Sequence, residues 1–323
     1  MATETTSPAA WLLRLAGVML LALALGSAAF RAPARSLESL VQRWAPPPSD
    51  FVELGAQLMH YRDEGPRSDP LPLLMLHGSA SSLHSWDAWA AALSAQGRRV
   101  VRLDLPGFGL SGPAAGGDYG DAAYLDFLTA ALQHLGLKRV VLVGQGLGAQ
   151  LSWQLALRQP EQVAGLVLLN AGAREFLPES APLLFTLARL PGAGWLAEGL
   201  LPRRLVEQAL QQAYGQPARL RAATVERYFE LSLREGNRSA LVDFLDQRRT
   251  PLDLAPLNAL RVPTLVLWGA RDRLLPIEDG QTLAQAIPGS RLIPLSQLGH
   301  LPQEEDGPAS LAAVADFLHT LKP

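Results

Sequence analysis

The 323-residue sequence contains no cysteine. That excludes disulfides, thiolate metal sites and cysteine nucleophiles, and it leaves the redox compartment unreadable from thiols. Lysine occurs only at Lys138 and Lys322 while arginine is abundant, which reads as the coding bias of a bacterial gene and not as chemistry. Charged residues make up 18% of the chain, the formal net charge is −2, and no basic run stands out. Nucleic acid is therefore not an expected partner. No internal repeat is present, and no spacing implies a metal or an organic cofactor. Apolar residues, at 48%, are plentiful enough for a substantial core. The length suits one large α/β domain or two ordinary ones.

Long apolar runs are also scarce, with one exception. Leu15 to Phe30, "LAGVMLLALALGSAAF", carries no charge, and "AAWLL" precedes it. Together they approach the roughly 20 residues that span a bilayer. Residues 1–30 are therefore expected to be a membrane anchor or a signal peptide, with membrane contact through residues 9–30. The small residues of "GSAAF" offer a cleavage site, but the uncleaved anchor is the favoured expectation. Arg14 precedes the run while Arg31 and Arg35 follow it, so charge asymmetry does not fix the orientation. The expected location is the bacterial inner membrane with the domain on the periplasmic side, or a secreted or periplasmic form after cleavage. Residues 31–50 end in "APPPS" and predict a stiff Pro-rich linker.

From Phe51 onward strand and helix patterns alternate. "FVEL" and "AQLMHYRDEG" predict a hairpin. "LPLLMLHG", "RRVVRLDLPG", "KRVVLVG" and "VAGLVLLNAG" read as buried strands separated by helical stretches. The rhythm breaks over 173–255, which shows helical patterns and no clear strand. It resumes at "VPTLVLWGARD" and runs through "RLIPLSQLGH" to a last helix from Pro308 to Leu321. Apolar strands alternating with helices imply a parallel sheet covered on both faces. The helical block then forms a cap over the carboxyl ends of the strands, where such sheets place their ligands. The domains so read are an α/β core over 51–172 and 256–323 and a helical cap over 173–255. Its aromatics Phe176, Phe185, Trp195, Tyr214, Tyr228, Phe229 and Phe244 are expected mostly to pack the cap on the core, with some lining an apolar pocket.

The stretch "VLVGQGLGAQ", residues 140–149, has the form of a nucleophile elbow: strand, tight glycine turn, helix, written G-x-S-x-G. Three further stretches follow the same plan: "LHGSASSLHSW" after the third strand, "DLPGFGLS" after the fourth, and "LWGARDRLLP" with "LGHLPQEE" near the end. In this order the four resemble the alpha/beta-hydrolase superfamily, in particular its capped single-domain bacterial members, over roughly residues 51–321. The resemblance implies a mostly parallel eight-stranded sheet with helices on both faces and a helical cap insertion. It implies a small apolar substrate or ligand, with esters or related compounds as the substrate class, and it says nothing of oligomeric state.

The resemblance also assigns roles. His77–Gly78–Ser79 matches the oxyanion loop, with the amides of Ser79 and Leu147 as the oxyanion donors; preorganised amides suit a developing oxyanion. Asp272 matches the triad acid and His300 the triad histidine. Asn170 stands at an alternative acid position but is uncharged. Gly144 and Gly148 frame the elbow. Ser81 and Ser82 read as ordinary loop serines, and Asp104 as a turn-former that bonds backbone amides. His60, His77, His84, His134 and His319 have no expected part in the chemistry. "DEGPRSDP" and "PQEEDG" read as solvated charges.

At the nucleophile position the sequence departs from the pattern, because Gly146 stands where a serine or aspartate belongs. Glycine tolerates the strained backbone of such a turn. Three readings follow: an enzyme in which the Asp272–His300 dyad activates water, a ligand-binding protein that does no chemistry, or a serine hydrolase inactivated by an engineered serine-to-glycine change.

Overall fold

The computed structural model describes residues 11, 14–19, 30–171, 182–188, 190, 199–248 and 252–322. Among the described residues, eight strands form one sheet in the order β1-β2-β4-β3-β5-β6-β7-β8. They are β1 (Ser49–Leu54), β2 (Gln57–Glu64), β3 (Leu73–Leu76), β4 (Val100–Leu103), β5 (Val140–Gln145), β6 (Val163–Leu169), β7 (Thr264–Gly269) and β8 (Arg291–Leu295). The hairpin β1–β2 pairs antiparallel and joins β4 antiparallel; every other pairing is parallel.

The central strands β3, β4, β5, β6 and β7 are buried at every residue, as sequences such as "VVLVGQ" and "VAGLVLL" require when helices cover both faces. One apolar cluster holds Leu74, Leu142 and Leu166 with Leu128 and Leu151; the other holds Leu73, Val141 and Val167 with Trp86, Trp89 and Val314. The two sets alternate along each strand and so mark the two faces.

The covering helices are α2 (Asp87–Ala95), α3 (Asp121–His134), α4 (Leu147–Arg158), α9 (Ile277–Ala286) and α11 (Gly307–Thr320), with the single turn α10 (Pro302–Glu305). Between β6 and β7 lie α5 (Leu183–Ala188), α6 (Arg203–Ala213), α7 (Ala222–Ser232) and α8 (Asn237–Gln247). This layer has its own small core of Val206, Leu210, Tyr214 and Val225, joined by Leu274 and Leu301 from the loops after β7 and β8.

One expectation needs correction. The supposed linker contains a helix, α1 (Leu37–Trp44), capped by Ser36 and buried at Leu40. It is fastened to α7: the Arg35 guanidinium and the Trp44 indole N–H both reach the Glu230 carboxylate, at 2.8 and 2.7 Å. The proposed span at 9–30 lies largely outside the described residues. Among those described, no helix is long and apolar enough to cross a membrane.

Candidate active site

The turn from β5 into α4 is shaped by three glycines. Gly146 has φ +53° and ψ −115°, a conformation that side chains rarely adopt. A Cβ on Gly148 would stand 2.2 Å from the carbonyl oxygen of Leu76, so only glycine lets the start of α4 lie this close to the end of β3. A Cβ on Gly144 would meet the backbone of Gly148 at 2.3 Å. Gly146 itself is different. A Cβ there would find Gly78 Cα at 3.6 Å and His300 Nε2 at 4.0 Å, both ordinary contacts. The turn therefore has room for a side chain, and such a side chain would point at the imidazole.

His300 Nδ1 lies 2.8 Å from Asp272 Oδ2. The Asp272 side chain is fully buried, and its other carboxylate oxygen accepts the N–H groups of Leu274 and Leu275 at 2.8 and 3.0 Å. The Asn170 amide donates to Oδ2 at 2.7 Å, while its oxygen accepts from Gly269 N–H at 3.3 Å. Asn170 is thus no rival acid but a brace that holds the acid still, and it adopts φ +41° to do so. An ionised carboxylate only accepts, so Nδ1 carries the ring proton, and Nε2 is the ring nitrogen on the Gly146 side.

The His300 loop is tied to the cap. His300 N–H donates to the Ala213 carbonyl at the end of α6, 2.6 Å away. The Glu305 carboxylate accepts from Gly215 N–H, Gln216 N–H and Gly299 N–H at 3.0, 2.7 and 2.8 Å. Beside it, Glu304 pairs with Arg227 and accepts from the Tyr228 hydroxyl at 3.0 Å. Both glutamates belong to the stretch read as solvated; they are buried instead because cap backbone and cap side chains supply their partners. Asp63 and Asp69, read the same way, are buried against Arg99 and Arg98.

The loop carrying Ser79 is pinned from below and above. His77 Nδ1–H donates to the Gly78 carbonyl at 2.7 Å, and Nε2 accepts from Leu105 N–H at 2.9 Å. Burial holds this imidazole below its usual range and keeps it neutral, as those two bonds require. Above, Ser81 Oγ lies 3.0 Å from the Tyr228 hydroxyl. Burial and then the Glu304 charge push that phenol up, so it stays protonated and donates to Glu304 while Ser81 donates to it. Ser81 is therefore a clamp between loop and cap, which its loop context did not signal. No described acceptor takes the N–H of Ser79 or Leu147; Leu147 opens α4, where free amides point outward. Asp104, as read, accepts amides from Leu83 and Leu110, both at 2.7 Å, and also holds His60 Nδ1 at 2.7 Å. Burial works to raise its pKa, but the neighbouring His60 prevails and keeps the carboxyl well below its usual range.

Gly146, Ser79, Leu147 and His300 line one cavity of about 910 Å³, roofed by Val206, Leu210 and Phe244 of the cap. Of the seven cap aromatics, Phe185, Tyr228 and Phe244 line it. Tyr214 and Phe229 pack inside the cap, and Phe176 and Trp195 lie outside the described residues. Its walls are largely apolar, as small-molecule sites are.

The sequence pattern described as the alpha/beta hydrolase fold matches residues 72–307. The chain belongs to the alpha/beta-hydrolase family. It is 29% identical over 273 residues to an uncharacterized hydrolase of Bacillus subtilis, YugF, a match covering 80% of this chain and 92% of that protein. It is 29% identical to the 2-hydroxymuconate semialdehyde hydrolase of Pseudomonas putida, covering 84% of this chain and 96% of the relative. Among solved structures, a hydrolase from Pseudomonas aeruginosa superposes with a TM-score of 0.69 at 29% identity, over 84% of this chain and 98% of that one. The expected superfamily and the mostly parallel eight-stranded fold are thereby established.

Proposed function

We propose that this hydrolase-family protein acts on small, mostly apolar esters or related carbonyl compounds at a site whose nucleophile position is Gly146. The Asp272–His300 dyad then works on water in place of a seryl oxygen. The observation that carries this reading is the 4.0 Å between His300 Nε2 and the position of a Cβ on Gly146. The space beside the lone pair can hold a water within reach of a carbonyl carbon above the turn. Nε2 takes the water proton as the oxygen bonds to carbon, the Ser79 and Leu147 amides receive the oxyanion, and the imidazolium returns the proton to the leaving alcohol. Asp272 stabilises the charged ring throughout.

The relatives that bear hydrolase names support the reaction class. The test is turnover of p-nitrophenyl butyrate by the purified chain and by His300→Ala. Slow hydrolysis that disappears in the variant supports the proposal, and equal rates in both proteins would overturn it. The missing side chain oxygen favours a second reading, a protein that holds an apolar ligand without chemistry. Tight ligand binding with no His300-dependent turnover would support that instead. If the native gene encodes serine at this position, the glycine is an engineered inactivation. The uncharged run Leu15–Phe30 supports a tether to the bacterial inner membrane, and we propose the periplasmic side for the domain. Full-length protein should then stay in the membrane pellet through carbonate washing; recovery of a mature chain starting near Ala29 would replace the anchor with a cleaved signal.

A further inference from the structure

A second cavity, of about 370 Å³, lies beside the first. Phe30, Phe108, Leu187, Leu190, Leu205 and Leu241 are in its wall. The two cavities share Ala80, Ser81, Tyr228, Ser232 and Leu241, so they meet at the oxyanion loop. The donors in the second wall are turned to partners within the protein. Ser82 meets His84 at 3.1 Å, Ser232 donates to the Tyr228 carbonyl at 2.7 Å, Asn237 donates to the carbonyls of Gly109 and Leu231 at 2.9 and 2.8 Å, and Arg238 donates to the Ala32 carbonyl at 2.5 Å. Such a wall suits hydrocarbon.

The mouth of this cavity is the unusual part. Among the described residues, every large apolar side chain that is exposed belongs either to residues 11–30 or to residues 183–190. Phe30, Leu187 and Leu190 are 51%, 40% and 55% exposed and also line the cavity, which places them at its opening. Phe30, Leu187 and Leu190 share the wall of one cavity, and the backbone at the end of the apolar run is tied to the cap. Leu201 N–H donates to the Phe30 carbonyl at 3.3 Å and Ala32 N–H to the Gly199 carbonyl at 2.9 Å. The long uncharged run of the sequence thus ends, at Phe30, on the rim of an apolar opening in the cap. Arg31, next to Phe30 in sequence, and Arg204, next to the wall residue Leu205, are both exposed. Apolar side chains bordered by arginine are what an anionic bilayer surface takes up.

We infer that the face bearing Phe30, Leu183, Leu187 and Leu190 rests on a lipid bilayer, and that the cavity behind it draws a hydrocarbon chain from the lipid toward Gly146 and His300. This deepens the proposed function and rests on its membrane tether: the ligand is a single-chain lipid such as a fatty acyl compound, delivered from the membrane side.

Because the chain has no cysteine, one label can be placed at will. Full-length Leu187→Cys, carrying an environment-sensitive fluorophore, is bound to vesicles of phosphatidylcholine and phosphatidylglycerol with brominated acyl chains. Glu161→Cys, exposed at the opposite end of the sheet, is the control. The expected result is quenching at 187 and none at 161. In parallel, the fluorescent fatty acid parinaric acid should bind the full chain. Ala188→Trp and Leu205→Trp, which fill the cavity wall, should each weaken it about tenfold, the equivalent of about two methylenes lost from contact, with melting temperature retained. An unquenched label at 187 in vesicle-bound protein overturns the docking. Dimerisation that quenches the label without lipid would assign the face to a second copy. Unchanged parinaric acid affinity in both tryptophan variants overturns the channel. None of these readouts uses turnover, so a protein that binds the fatty acid but fails the ester test defeats the hydrolytic reading and leaves this one standing.

Discussion

At Gly146 the backbone sits at φ +53° while the space around it is open. The two facts pull a substitution in opposite directions. Gly146→Ser should cost about 1–3 kcal/mol of stability, because a side chain is strained at positive φ, and should lower the melting temperature. It should also raise hydrolysis of short activated esters at least about 10³-fold, since loss of the seryl oxygen from a complete serine site costs about 10⁶ in turnover. Calorimetry and a p-nitrophenyl ester assay on the same preparation check both signs. Asn170 makes a second prediction at this scale. Asn170→Ala removes the donor at 2.7 Å from Asp272 Oδ2 and leaves that oxygen to His300 alone. Any His300-dependent turnover should fall about tenfold or more, as a mispositioned base does, with little change in ligand affinity.

The elements that position these residues were unequally visible in the sequence. The strands announced themselves through short apolar runs, and the turn after β5 through its glycines. Asp272 and His300 were legible because each follows a strand in a recognisable stretch. Helix α1 was masked by the prolines behind it, although Ser36, which accepts the N–H of Ser39, is a capping signal that could have found it. Glu305 could not be read at all. Its acceptor role depends on Gly215 and Gln216, which are 90 and 89 residues away in sequence, and nothing local distinguishes a buried acid from a solvated one. The Ser81–Tyr228 pair spans 147 residues and was hidden for the same reason. Glu305→Ala should therefore act beyond its own turn. It leaves three N–H groups without an acceptor, should destabilise by at least about 2 kcal/mol, and should loosen the His300 loop from the cap. Hydrogen exchange at Gly215, Gln216 and Gly299 should accelerate together, while exchange in β5 and β6 stays slow.

Across the whole molecule, buried histidines make the fold sensitive to acid. Burial drives His84 down from 6.5 to about 3, against the pull of Asp104 and Asp87, and Nε2 lies 2.7 Å from the Trp44 carbonyl at the end of α1. Below pH 6.5 the unfolded chain takes up a proton at this residue that the folded chain refuses until about pH 3. Stability should thus be unaffected by His84 above that window and fall as pH drops through it. His84→Gln should flatten the slope of melting temperature against pH, and an unchanged slope would remove His84 from the account. One pair of adjoining cavities reaches Phe30, the cap and the turn at Gly146. The most direct measurement of whether hydrolytic machinery surrounds Gly146 is the intact mass of the Gly146→Ser protein after exposure to a fluorophosphonate. Such a reagent is attacked only by a serine that a working base and oxyanion donors activate. A single covalent adduct at position 146, absent from the parent chain and lost in the Gly146→Ser, His300→Ala double variant, is the predicted result. A folded Gly146→Ser protein that stays unmodified would contradict the claim.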